Sequence, residues 1–416
     1  MSEEMGRYVP DGRVRIALLC GAALLAWAVA RGAVQNALHD SAPQVAADFW
    51  PADGESLASL ARDKMAANSG EIDEPTRQLF REALEQSPAL ASPIVLAALD
   101  AEQSGDSKRA ERLMVQAKER DPRSTITRFW LLDRYMRTGR YALALDEVGP
   151  ALRLRRQAMT VVMTVLATLA NEPEFRPALA KKLASAPYWR TSFFQAASQQ
   201  TDPDVLLSLL ASSRGQSADQ KMEAEQKYVF QKMIEADDGV RAYRAWKSML
   251  PARYRGRADG IYDSNFANWP GAEPFNWVVE DSEIGISRSV VAGDLPQGSA
   301  LNVRYFGSTA GALAEQYVHV PPGNYRLSAV ARRRSQGATG GRLNLQARCA
   351  PGEVIASVLL DPIGPGLRRF STPVKVGPDC HILRISITGL PGELFSEIEA
   401  QVTAVTITPA AQAADQ

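Results

Sequence analysis

What this 416-residue sequence lacks narrows its function before any motif is found. Neither charge is in excess: lysine plus arginine and aspartate plus glutamate each number 47. No overall field therefore points to nucleic acid or to a membrane surface as the main partner, and any polyanion site must be local. Histidine is scarce, with only His39, His319 and His381, spaced too widely to suggest a zinc site. The phosphate-cradling GxxxxGK(S/T), the HExxH and the GxSxG signatures are missing; GSTAG at Gly307 has threonine where a nucleophilic serine would stand. No pair of carboxylates stands out for glycoside hydrolysis. These absences point to a noncatalytic chain with no cofactor and no metal. Cysteine is limited to Cys20, Cys349 and Cys380.

What is present begins with an apolar run, Ile16 to Ala30, of fifteen uncharged residues, followed by Arg31 and GAVQNALH. Fifteen helical residues reach only about 22 Å, short of a hydrocarbon core of roughly 30 Å. Extension to His39, with Arg31 snorkelling toward the headgroups, supplies the missing length. Arg7, Arg13 and Arg15 precede the run, and Asp40, Asp48, Asp53 and Glu55 follow it. That bias predicts a signal anchor over 14–39 with a cytoplasmic N-terminus and the bulk of the chain exported. The competing reading is a cleaved signal peptide, since Ala28-Val29-Ala30 has the small-x-small pattern of a cleavage site.

Between about 57 and 158 the sequence repeats itself. Gly105 and Gly139, Ala110 and Ala144, Ala101 and Tyr135, and Pro88 and Pro122 are each 34 apart, and Ala83, Ala117 and Ala151 form a series of three. This is the period of tetratricopeptide repeats: small residues let two helices approach, glycine starts the turn between them and proline ends the unit. GDSKRAERLMVQAKERDP and GRYALALDEVGPAL resemble the second helix of that repeat. Ile94 and Arg128 replace the family's aromatic near the start of the first helix, so the copies are degenerate. Amphipathic helices continue to about residue 250 and close with Tyr228, Ile234, Ala242 and Trp246 at helical spacings. Such arrays commonly hold a protein or peptide on their curved surface.

From Ile261 onward, alternation and turns take over. Leu301, Val303 and Tyr305, then Tyr325, Leu327 and Ala329, then Leu343, Leu345 and Ala347, then Leu383, Ile385 and Ile387 alternate with polar or small residues. PPGN at Pro321 and GATGG at Gly337 mark turns. The pattern predicts an antiparallel β-sandwich, jelly-roll-like, over 261–409. Cys349 and Cys380 sit at the edges of strand-like runs in a chain expected to be exported, and are expected to form a disulfide.

Flat aromatic faces beside polar groups suit sugar rings, which makes Trp269, Trp277, Tyr305, Phe306 and Tyr317 candidates. Trp277, within the apolar FNWVV, fits the core better. Trp269, between Asn268 and Pro270, is the better exposed platform. No acidic residue occurs between Glu315 and Glu353, while Arg326, Arg332, Arg333, Arg334, Arg342 and Arg348 all do. Arg332, Arg333 and Arg334 are thus candidates for a carboxylate or phosphate on an acidic glycan, against the plainer reading of a solvated hairpin.

DSNF followed by PFNW, then SALNVRYFG, EQYVHVPPGNYRLSAVARRRS and CHILRISITG, resemble the carbohydrate-binding-module-like sandwich that ends certain membrane-anchored tetratricopeptide proteins of bacterial exopolysaccharide and capsule systems. The resemblance implies a periplasm-facing inner-membrane scaffold that brings glycan, or membrane proteins of polysaccharide assembly, to a partner. A structural assembly factor with a protein-binding sandwich, or a glycan-modifying enzyme, are the alternatives. The expected organisation is a cytoplasmic N-terminus over 1–13, the anchor over 14–39, a linker over 40–56, repeats over 57–250, a linker over 251–260, the sandwich over 261–409 and a disordered tail over 410–416.

Overall fold

The structure is a computed structural model that describes residues 12–38, 41–49, 53–213, 221–279, 281–334, 341–361, 363–392 and 397–410. The expected GATGG turn lies mostly outside these residues, as do most of the N-terminal segment 1–13 and of the tail 410–416. The chain divides into two compact units, Met1–Gln157 and Ala158–Gln416. The sequence suggests a boundary at 251–260, but the helices before that point belong to the same unit as the sandwich.

The first unit is helical: α1 (Gly12–Leu38), α2 (Pro43–Phe49), α3 (Gly54–Ala67), α4 (Glu74–Gln86), α5 (Ser92–Gln103), α6 (Ser107–Arg120), α7 (Thr125–Arg137) and α8 (Tyr141–Leu154). The expected span at 14–39 is occupied by α1, yet among the described residues no helix is long and apolar enough to cross a membrane. Arg31 interrupts the apolar run, and the side chains of residues 16–21, Cys20 included, lie outside the described residues.

The remaining helices pair as α3 with α4, α5 with α6 and α7 with α8. Side chains cap four of these six helices, α5 and α8 having none: Asp53 accepts from the Ser56 N–H, Asp73 from Thr76, Asp106 from Arg109 and Ser124 from Thr127. Gly105 and Gly139 take the left-handed backbone that turns one helix into the next, at φ 83° and 70°. Ala83, Ala110, Ala117, Ala144 and Ala151 are all fully buried, so the repeated small residues do sit where helices approach. Ion pairs then tie neighbouring pairs together. Glu147 of α8 is buried and accepts from Lys118 of α6 at 2.7 Å and from Arg128 of α7 at 2.5 Å. Arg77 of α4 reaches Asp100 of α5 at 2.8 Å.

The second unit begins with α9 (Met159–Leu169), α10 (Arg176–Ala184), α11 (Arg190–Gln200), α12 (Pro203–Ser212), α13 (Lys221–Glu235), α14 (Gly239–Met249) and the short α15 (Ala252–Arg255). Its sandwich comprises β1 (Gly285–Val291), β2 (Ser299–Tyr305), β3 (Gly311–Val318), β4 (Gly323–Arg333), β5 (Arg342–Cys349), β6 (Val354–Leu359), β7 (Arg368–Val376), β8 (Leu383–Leu390) and β9 (Ile398–Pro409). One sheet has the order β1-β2-β9-β4-β7, the other β3-β8-β5-β6, and every pairing is antiparallel. From β2 onward the chain crosses between sheets at each step except β5 to β6, which is the alternation of a jelly roll.

Inward side chains follow the expected period of two: Leu301, Val303 and Tyr305 on β2, Leu327, Ala329 and Ala331 on β4, Leu343, Leu345 and Ala347 on β5, and Leu383, Ile385 and Ile387 on β8 form one core. Cys349 and Cys380 are bridged, with Cα atoms 5.6 Å apart, fastening the end of β5 to the loop before β8.

The last helices and the sandwich share a core. Tyr243 and Trp246 of α14 pack on Phe275 at ring-centroid distances of 5.7 and 5.5 Å, and Tyr243 also meets His319 at 5.2 Å. A Cβ added at Gly239 would lie 2.5 Å from Ile382, so α14 meets the start of β8 with no room for a side chain.

Replacing Glu147 by alanine is expected to leave Lys118 and Arg128 half-buried and unpaired, at a cost of about 2–3 kcal/mol, less than for a fully buried pair. Chemical denaturation of the Glu147→Ala variant tests this, and unchanged stability would refute it. The Cys349→Ala/Cys380→Ala variant is expected to lose about 3–4 kcal/mol of stability, the loop-closure value for a separation of 31 residues; thermal unfolding against the oxidised parent is the measurement.

Candidate functional site

The segment from Tyr262 to Val279 follows the helices, contributes Phe266 and Trp277 to the sandwich core and pairs briefly with the edge strand β3. Val278 bridges Glu315 of β3, and the Tyr317 N–H donates to the Pro274 carbonyl at 2.8 Å. Within it, Asp263, Phe266 and Asn268 adopt left-handed backbone conformations, φ 48°, 57° and 57°. Each costs on the order of 1 kcal/mol or more for a non-glycine residue and persists only where its surroundings enforce it.

The enforcing group is the Asp263 side chain. It is buried, and its two oxygens accept the N–H groups of Ala267 at 2.8 Å and Trp269 at 3.0 Å. Burial pushes this carboxyl above the usual carboxylate range, while the N–H groups of Trp269, Ala267 and Asn268 pull it back. Asn276 completes the loop: its Nδ2 donates to the carbonyls of Trp269 at 2.8 Å and Gly271 at 3.1 Å, and its Oδ1 accepts from the Trp277 N–H at 2.8 Å. The Trp277 indole donates to the Asp263 carbonyl at 3.1 Å. Gly271, at φ 147°, stands against Leu250 and Trp246, where a Cβ would lie 2.9 Å from Leu250.

This folded loop encloses a cleft of about 570 Å³, lined among others by Asn268, Trp269, Glu273, Trp277 and Ser289. That lies within the usual range for a small-molecule site. A second cleft of about 440 Å³ adjoins it, shares Gly271, Glu273, Asn276 and Trp277, and is closed on the far side by Ala224, Lys227 and Tyr228 of α13. Lys227 and Glu273 pair at 2.6 Å where the two meet. Indole walls, an exposed amide at Asn268 and a half-exposed carboxylate at Glu273 form the chemistry of a site for a polar, ring-shaped ligand.

The residues singled out from sequence do not converge. Trp269 lines the cleft, but it is half-buried, with Tyr254 and Tyr262 at 5.7 and 5.4 Å and the Arg257 guanidinium over its ring at 4.9 Å. Trp277 is buried and yet forms a wall of both clefts. Tyr305 is fully buried in the sandwich core, its hydroxyl donating to the Thr309 carbonyl at 3.1 Å, so it offers no face to a ligand. Tyr317 points outward from β3, half-buried, beside the Arg384–Glu315 ion pair.

The three arginines form no patch, because neighbours on a strand face opposite sides. Arg332 is tied to Gln401 at 2.8 and 2.6 Å and to Asp294 at 2.5 Å, and its guanidinium holds the Asp294 carboxyl below the usual range. Arg333 lies on the inward side and donates its N–H to Gly364 at 2.7 Å, and Arg334 is exposed just past the strand end. Sequence reasoning missed Asp263, Asn268, Glu273 and Asn276. Their signal was the density of Asp, Asn, Pro and Gly around two tryptophans in DSNFANWPGAEPFNW, residues that accept left-handed and turn conformations. Among the described residues no cluster suits a metal ion.

No protein-family model matches the sequence, and no curated protein matches it. Among solved structures the chain is similar to a CBM4 structure, with 14% identity over 36% of this chain and 99% of that one, at a TM-score of 0.26. It is similar to TmCBM61 in complex with β-1,4-galactotriose, with 14% identity over 37% and 96% of the two chains, at 0.26. The C-terminal family 22 carbohydrate binding module of Clostridium thermocellum Xyn10B gives the same values, 14%, 37%, 96% and 0.26. Likenesses this distant leave the ligand to be read from the cleft's own residues.

Replacing Asp263 by alanine removes both acceptors from the loop and is expected to cost about 2–4 kcal/mol. Hydrogen exchange at the Ala267 and Trp269 amides, alongside chemical denaturation, reads the effect. Unchanged protection at those amides would show that the loop does not depend on Asp263.

Proposed function

We propose that the sandwich is a noncatalytic saccharide-binding head and that the cleft walled by Trp269 and Trp277 is its site. The observation that carries this reading is the pairing of indole walls with Asn268, Glu273 and Ser289 in one cleft of about 570 Å³. Apolar walls suit the C–H faces of a sugar ring, and the polar rim suits its hydroxyls. A binding role fits better than hydrolysis because both Asp263 oxygens are committed to backbone N–H groups and Glu273 is held by Lys227.

The rest of the chain fits a scaffold. Three capped helix pairs with buried alanines and glycine turns support a tetratricopeptide-like array that holds a protein partner. Leu24, Leu25, Trp27 and Val29 are exposed along α1, an apolar surface suited to lying on lipid without spanning it; that the remainder of the chain faces the periplasm rests on the charge bias of the sequence alone. A place in polysaccharide assembly or export rests on the sequence resemblance alone.

The test is retention of the protein on immobilised glycans, with Asn268→Gly as the probe variant, since glycine keeps the left-handed backbone and removes only the amide. We expect one or more glycans to bind and the variant to bind about five- to twentyfold more weakly, the loss of one hydrogen bond to a ligand. If a broad panel shows no retention, the head does not read sugar.

A further inference from the structure

The stretch that leads into the Trp269 loop carries three arginines that stand outside the ion-pair network of the described residues. Arg253, Arg255 and Arg257, in PARYRGRADG, are all exposed. Among the described residues none of the three has an ion-pair partner; the Arg255 Nε donates to the Leu250 carbonyl at 2.9 Å. The neighbouring carboxylates are already engaged, Asp259 by Lys247 at 2.5 Å and Glu273 by Lys227 at 2.6 Å. Two of these guanidinium groups are held in place by rings: Arg253 over Tyr254 and Arg257 over Trp269, both at 4.9 Å. Tyr254 and Trp269 are themselves in contact at 5.7 Å, so Arg253, Tyr254, Trp269 and Arg257 form one series of contacts, within which Trp269 is a wall of the cleft.

A guanidinium lying on an aromatic ring keeps its edge N–H groups available while losing much of its freedom, so less is lost when it binds. That edge is a fork that fits two oxygens of a carboxylate or a phosphate. Arg257 does not line the cleft itself; it lies on the ring of Trp269, which does.

We infer that the cleft's ligand is an anionic saccharide, whose charged oxygens are taken by Arg257 with Arg253 and Arg255 behind it. This rests on the saccharide-binding reading. It moves the acidic-glycan site from Arg332, Arg333 and Arg334, which are dispersed or paired, to the stretch that leads into the Trp269 loop. A carboxylate on a uronic acid and a phosphate on a sugar share the chemistry, and binding experiments separate them.

The experiment is calorimetric titration of the full chain in detergent with a panel of uronic-acid oligosaccharides, each beside its methyl ester, together with sugar phosphates. The ester keeps the sugar and removes the charge. At least one acid, or a sugar phosphate, is expected to bind about ten- to a hundredfold more tightly than its uncharged counterpart, the range for a hydrogen bond to a charged group. The gain should shrink as salt is raised. Arg257→Ala should erase it, and Arg257→Lys, which keeps the charge and loses the fork, should recover only part.

Equal binding of acid and ester, or a full gain in Arg257→Ala, overturns this inference and leaves the saccharide reading standing. Binding by no saccharide, charged or neutral, overturns both. Arginine-dependent binding to vesicles containing anionic phospholipid, with none to the soluble panel, assigns the stack to a membrane surface and also overturns it.

Discussion

The candidate site depends on the aromatic packing of Tyr243 and Trp246 against Phe275 and Tyr262. Trp246 meets Tyr262 at 5.1 Å edge-on and Phe275 at 5.5 Å, while Phe230 of α13 reaches Phe275 at 5.9 Å. These rings are fully or almost fully buried and come from two helices and from both ends of the loop that forms the cleft. Burying a large aromatic side chain removes roughly 150–250 Å² each from water, so this cluster is a substantial part of what holds helices and sandwich together. Residues 262–277 fold against it on one side and against the sandwich core, through Phe266 and Trp277, on the other.

From that anchor the loop's geometry follows by steps. Gly271 lies against Trp246 and Leu250 because only a residue without Cβ fits there. Asp263, delivered just after Tyr262, gathers the N–H groups of Ala267 and Trp269, and three residues of the loop take left-handed backbone. Asn276 and the Trp277 indole close the ring from the other side. The strain of the left-handed residues is offset by the Asp263 carboxyl as acceptor and by the Asn276 amide, which makes the cleft a built feature rather than a gap between loops. The short pairing of Val278 with Glu315 also covers an outer edge of the four-stranded sheet, so one segment shapes the cleft and protects a sheet edge.

Much of the fold was legible in the residues. The 34-residue spacing of Gly105 and Gly139 marked turns that do adopt left-handed backbone, and the repeated alanines marked fully buried contacts. Strand alternation in LNLQARC and LRISITG placed Leu343, Leu345, Ile385 and Ile387 in the core and brought Cys349 within bridging reach of Cys380. The site was less legible. Tyr305 looked like a platform because it ends an alternating strand beside Phe306, but the same alternation put its ring inward, against Gly389, where an added Cβ would strike it. The Arg332 to Arg334 run looked like one charge patch, although period two disperses it and Asp294, from a loop remote in sequence, takes up Arg332. The break of DPDVLLSLLAS and the helices around it from the first unit was also out of reach, since helical periodicity says nothing about which neighbour a face packs on.

By itself, the sequence determined what depends on local spacing: helix pairs with glycine turns, a jelly-roll-like sandwich with alternating faces, and the absence of the common catalytic signatures. Each of these follows from a periodicity or a short motif acting within a few residues. The tertiary structure alone decided that the last helices share a core with the sandwich, that Asp263 and Asn276 fold the loop into a cleft, and that Arg257 lies on the Trp269 ring while Arg332 is taken by Asp294. Those outcomes depend on contacts between side chains far apart in the chain, such as Trp246 with Phe275 and Arg332 with Asp294. Packing density and charge pairing choose such partners only once the chain is folded.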